Sequence, residues 1–224
     1  MKQFIDNLKP YTQLITVYIL IFIQYPAGVS IGQIVFHQNL SESINPSLLI
    51  LWGAVRLLIV LPMIFSLLEL LGQNHQDIYL KFGNGKKVVA ITFWGTFIFT
   101  TLGIILYPYF LIESSLTVTK FVSYLPIFLI YSISNAFAEE VFFRGAGLNF
   151  LENKTNFWIA NLIQSIFFGL IHIINPMSIS IISFVTLTFV LGLLWGYMTK
   201  KSGSLIPAIT LHVIADVFVA ISLF

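Results

Sequence analysis

The sequence predicts an all-α fold: a polytopic membrane bundle of about seven transmembrane helices, in one domain spanning residues 1–224, with a cytoplasmic N-terminus. Three observations carry this. Of the 224 residues, 58% are hydrophobic and only 9% are charged, against roughly 25% charged in an ordinary soluble domain. The mean hydropathy is +0.93. The apolar residues also fall in blocks of the length, about 20 residues, that a helix needs to cross a bilayer. A soluble enzyme, a nucleic-acid binder and a disordered chain are thereby excluded, and no room is left for a separate soluble domain. The chain contains no cysteine, so disulfides and thiolate metal sites are excluded as well.

Seven apolar stretches follow one another at about 11–36, 47–71, 88–112, 120–150, 157–175, 177–199 and 204–224. The first begins like a signal peptide after Lys2 and Lys9, but it runs on past Pro26 without a small-x-small cleavage site, so a retained helix is expected. Its Tyr25–Ser30 segment should kink or end it, because proline removes a backbone donor and clashes with the preceding turn. The polar run Gln73–Lys87 fits a short interfacial helix ending at Gly83 and Gly85. With the N-terminus inside, the inner segments hold Lys2, Lys9, Lys81, Lys86, Lys87, Arg144, Lys154, Lys200 and Lys201. The outer segments hold only Lys120, and Arg56 falls within the second span. That asymmetry is the positive-inside bias of a membrane protein, and it fixes the expected orientation.

Ionisable groups inside spans are costly and mark functional candidates. Most of them here form three clusters: Glu139, Glu140 and Arg144 in the fourth stretch, His172 in the fifth, and His212 with Asp216 in the seventh. Residues four apart share a helix face, so Glu140 can pair with Arg144. Glu139 is rotated from Glu140 by about 100° and is left to face something else. At ~1.5 Å rise per residue, Glu139 lies roughly 28 Å and His172 about 23 Å from the outer surface, with His212 about 12 Å above the inner end of its helix. The three clusters can therefore converge. The bland alternative is that the glutamates snorkel to the surface and each histidine is a hydrogen-bonded packing residue.

A desolvated carboxylate is a stronger base than one in water, which suits general-base work, and histidine can position water or donate to an oxyanion. Asp216, one turn beyond His212, can fix the tautomer of that imidazole. Together these groups form a kit for acyl-bond hydrolysis. Serine chemistry fits less well, because no Gly-x-Ser-x-Gly elbow occurs and Ser132, Ser134 and Ser165 have no histidine at helical spacing. Zinc is the alternative, with Glu139, His172 and His212 as three ligands and Asp216 as a fourth or as an outer partner. The residue order does not match His-Glu-x-x-His, and no cofactor is expected.

Glu-Glu-x-x-x-Arg at 139–144, Phe-x-x-x-His at 168–172 and His-x-x-x-Asp at 212–216 resemble the CAAX protease and bacteriocin-processing family, also called the Abi family. Gly145 after the arginine and Ser204–Pro207 before the last histidine add to the likeness, which covers residues 120–224. The resemblance implies an intramembrane endopeptidase opening to the cytosol. It implies that Glu139 and His172 activate water, that His212 and the residue four later stabilise the oxyanion, and that Glu140, Arg144 and Phe168 support them. The prenyl-protein members carry asparagine where this chain has Asp216, and an ionised aspartate cannot donate to an oxyanion. The implied partners are a membrane-associated peptide or protein substrate and the lipid bilayer, without nucleic acid. The composition points to a bacterial cell membrane, and the family to bacteriocin self-immunity or peptide maturation. A non-catalytic immunity or scaffold protein is the alternative from another class.

Overall fold

The computed structural model describes residues 46–71, 74–110, 117–174 and 180–222. The first expected stretch, 11–36, lies outside the described residues. What is described is wholly helical apart from turns. Helix α1 runs Pro46–Leu71 and α2 runs Gly85–Phe110. Helix α3, Val118–Glu140, passes without a break through a π-helical segment, Val141–Gly147, into the short α4, Leu148–Glu152. Then come α5, Phe157–Ile171, α6, Ile181–Ser202, and α7, Ile206–Ser222.

Counted as continuous rods, the described residues hold six helices where about seven spans are expected. Three of them are long and apolar enough to cross a membrane unaided: Gly85–Leu106, Val118–Glu152 and Ile181–Ser202. The expected fifth and seventh stretches shorten to 15 and 17 residues. The fifth does so because its helix stops at Ile171 and tightens into a 3₁₀ turn at His172–Ile174. The seventh starts only after a turn that opens at Gly203, whose left-handed backbone ends α6. The chain is nonetheless a multi-pass membrane bundle. Its exposed side chains, such as Phe93, Trp94, Phe97 and Ile104 along α2, are large and apolar, as lipid-facing residues are.

The helix ends are set by local chemistry. Thr117, Asn156 and Ser180 each accept a hydrogen bond from the backbone N–H three residues on, capping α3, α5 and α6. Between α1 and α2 the expected interfacial helix is absent, and residues 74–84 form turns instead. Asn74 and Asp77 tie the first turn together through side-chain bonds to its backbone, which competes with helix formation. The connector is then pinned to the α6–α7 turn. Asn84 N–H donates to Ser202 O at 2.8 Å, Leu205 N–H to Tyr79 O at 3.1 Å, and Ser204 Oγ to Lys81 O at 2.6 Å. Gly83 (φ +61°) allows this approach, since a Cβ there would sit 2.5 Å from Ser202 O.

Two contacts set the frame that carries the site. Helices α5 and α6 are joined by a buried polar seam: Asn161 Nδ2 donates to Leu193 O at 3.0 Å and Gln164 Nε2 to Gly192 O at 3.2 Å. The seam needs Gly196, where a Cβ would overlap the Asn161 side chain. On the other side α3 packs along both α1 and α7. The largest buried side chains, among them Trp195, Arg144, Phe142, Phe143 and Phe168, collect where α3, α5, α6 and α7 meet. Ile78 of the connector closes this core from below, with its carbonyl against Gly145.

Candidate active site

Glu139 and Glu140 end α3, and Arg144 sits in the π segment that follows. All seven residues of that segment are buried. A π-helix is rare and tends to occur at functional sites, because its wider turn re-aims side chains. Glu140 and Arg144 meet here at 2.7 Å from Oε1 to a terminal guanidinium nitrogen, both fully buried. The guanidinium also lies 3.9 Å from the centre of the Phe168 ring, within cation–π range.

The same Glu140 Oε1 accepts a hydrogen bond from His212 Nδ1 at 2.7 Å. One carboxylate oxygen thus links the fourth and seventh expected stretches. With Nδ1 fixed, the opposite nitrogen, Nε2, is turned toward two further carboxylates: Glu139 Oε2 at 3.7 Å and Asp216 Oδ1 at 3.5 Å. The imidazole is clamped from its faces as well. Trp195 stacks on it at 4.6 Å and 24°, and Phe168 meets it edge-on at 5.8 Å. In the sequence Asp216 is the carboxylate that orients His212; in the structure Glu140 does so at closer range.

His172 caps α5 and is half-buried. Its Nδ1 is 2.6 Å from Phe168 O, and since a carbonyl only accepts, Nδ1 carries the hydrogen and Nε2 the lone pair of the neutral ring. Its ring touches Phe168 at 4.9 Å and Phe184 at 5.3 Å. Phe168 is therefore flanked by both imidazoles and by Arg144, which is why its position one turn before His172 matters. The expected set is brought together as follows: Glu139, Glu140, Arg144, His212 and Asp216 through polar contacts, and His172 through Phe168.

Two residues of the site stand outside the sequence expectations. Trp195, buried mid-helix, carries no sequence signal that sets it apart from other packing aromatics. Asn135 is different: it lies one turn before Glu139 on the same face, and its amide donates to Asp216 Oδ2 at 2.8 Å. That i, i+4 relation was available in the sequence. As for zinc, no three histidine, aspartate or glutamate side chains among the described residues are arranged to hold a metal ion. The donor set does not form a zinc site.

The clustered residues from Asn135 to Asp216 all lie within one family-model match. Residues 121–218 match the Rce1-like type II CAAX prenyl endopeptidase model. The Rce1-like match takes in every residue of the cluster and leaves α1, α2 and the connector outside it. No curated protein and no solved structure matches the chain.

Proposed function

We propose that this chain is an intramembrane endopeptidase that hydrolyses a peptide bond of a membrane-associated peptide or protein. The observation that carries the proposal is the carboxylate–imidazole cluster of Glu139, Glu140, His212 and Asp216, buried between α3 and α7 inside the Rce1-like match. Buried ionisable groups in a membrane bundle are expensive, and where they persist they mark functional sites. In the proposed mechanism Glu139, with His172, takes a proton from water. The resulting hydroxide attacks the substrate carbonyl, the C–N bond breaks, and the proton passes to the leaving amine. His212, its Nδ1–H donating to Glu140 and its ring held by Trp195 and Phe168, acts in its imidazolium form and donates Nε2–H to the developing oxyanion. Such preorganised groups give up little reorganisation energy at the moment of reaction. Glu140 and Arg144 hold the imidazole in register, and the lysine asymmetry supports a site that opens to the cytoplasm.

The experiment is cleavage of a C-terminally prenylated CAAX-type peptide by purified protein in liposomes, run in ¹⁸O-labelled water and read by mass spectrometry. One cut, with a single ¹⁸O in the new carboxyl group and no loss of rate in excess EDTA, is the expected result. An intact peptide overturns the hydrolytic proposal together with this substrate class, and zinc-restored loss of activity overturns the metal-free mechanism. In the cell we assign it to bacteriocin self-immunity or peptide maturation, which a peptide-precursor gene found alongside its own would support.

A further inference from the structure

We infer that Asn135 is a positioning residue of this site, holding Asp216 so that its second oxygen faces His212. The inference rests on the hydrolytic mechanism above. Asn135 Nδ2 donates to Asp216 Oδ2 at 2.8 Å, while Asp216 Oδ1 stands 3.5 Å from His212 Nε2. Both residues are buried, at 4% and 7% exposure.

The arrangement is a two-rung ladder between packed helices. Asn135 precedes Glu139 by four residues on α3, and Asp216 follows His212 by four on α7, so each lies one turn from another residue of the site. The lower rung is Glu139 and Glu140 against His212; the upper rung is Asn135 against Asp216. A carboxylate left to itself rotates freely about its terminal bond. A donor on one oxygen fixes that plane and aims the other oxygen.

The choice of an amide is informative. Lysine or arginine at 135 would fix the carboxylate too, but would cancel the charge it presents to His212. Asparagine fixes the direction and leaves the charge. As a packing device alone, an amide–carboxylate pair in the membrane interior is a poor choice, because two apolar side chains would fill the same space without desolvation.

The test uses the full chain in liposomes with the prenylated peptide named above. Asn135→Leu removes the donor at similar volume. It should lower kcat roughly ten- to hundredfold, the size expected when a reacting group is misplaced by about 1 Å, with KM unchanged and the melting temperature lower by a few degrees because the buried Asp216 Oδ2 loses its donor. Asn135→Asp sets two carboxylates at the 2.8 Å contact, where like charges cannot both ionise. Adding Asp216→Asn to that variant transposes the pair, so the amide sits on α7 and the carboxylate on α3, with the hydrogen bond kept. The hydrogen bond survives but the charge no longer faces His212, so kcat should stay about tenfold or more below wild type. Wild-type kcat in Asn135→Leu, or in the transposed pair, overturns the inference. If Asn135→Leu does not fold, the transposed pair decides. If the wild-type protein leaves the peptide intact, the hydrolytic mechanism falls and this role with it; if the wild type cleaves and the variants match it, only the role of Asn135 falls.

Discussion

Glu140→Gln tests the junction on which the site depends. Glu140 is fully buried and its Oε1 receives both Arg144 and His212 at 2.7 Å. Removing one partner of a buried ion pair costs about 3–5 kcal/mol, because it leaves a charge desolvated without compensation. Glutamine keeps one carbonyl oxygen, which can still accept from one of the two donors, so the lower end, about 3 kcal/mol, applies. For a chain of this size each kcal/mol moves the melting temperature by roughly 2–4 °C, so a fall of about 6–12 °C is expected. The assay is intrinsic tryptophan fluorescence against temperature in detergent. Glu140→Gln/Arg144→Met removes both charges and keeps an acceptor for His212. It should recover most of the loss, since a buried pair replaced by groups without charge is often neutral. A Glu140→Gln protein melting within about 2 °C of wild type, or a double variant worse than the single, would refute the reasoning.

Three further outcomes follow from other parts of the bundle. Gly196→Ala drives a methyl group into Asn161 and should destabilise the α5–α6 seam by about 1–3 kcal/mol, read as a lower melting temperature. Tyr79, in the connector, donates to Glu152 Oε2 at 3.0 Å, and burial first, then the Glu152 charge, push its phenol above the ordinary value of 10.0. The folded protein therefore keeps that proton longer than the unfolded one, so stability falls as pH rises past 10.0. Tyr79→Phe should fall less steeply over that range in a thermal-melt pH series. A cysteine placed at exposed Asn84, without background in a cysteine-free chain, should react with an impermeant thiol reagent only once the inner face is opened. Labelling in intact cells would reverse the orientation.

Much of this was legible in the sequence because membrane folds expose their strongest signals there. Apolar runs gave the helices from 46 onward to within a few residues, and the i, i+4 spacing of Glu140 and Arg144 gave a pair that meets at 2.7 Å. Other features depend on geometry that spacing does not encode. The π segment at Val141–Gly147 looks like ordinary helix in the sequence, since its wider turn arises from packing rather than composition. The early end of α5 at Ile171 was hidden because the following residues are still apolar. The connector reads as a short interfacial helix because it is polar with a few apolar residues, whereas Ile78 plugs the core and Tyr79 anchors the α6–α7 turn. Glu140 as the hub between Arg144 and His212 required knowing how α3 and α7 pack. Asn135, by contrast, was in plain view one turn above Glu139.

The most direct measurement is peptide cleavage by Glu139→Gln in liposomes, alongside wild type, with melting temperature as the check on folding. Glu139 faces His212 Nε2 at 3.7 Å and is the proposed base; glutamine keeps the shape and cannot take the proton. Proton transfer by a positioned group contributes about 10²–10⁴-fold, so the variant should melt like wild type and lose cleavage by at least about a hundredfold. A folded Glu139→Gln protein that cleaves at the wild-type rate would contradict the assignment of this site as the centre of hydrolysis.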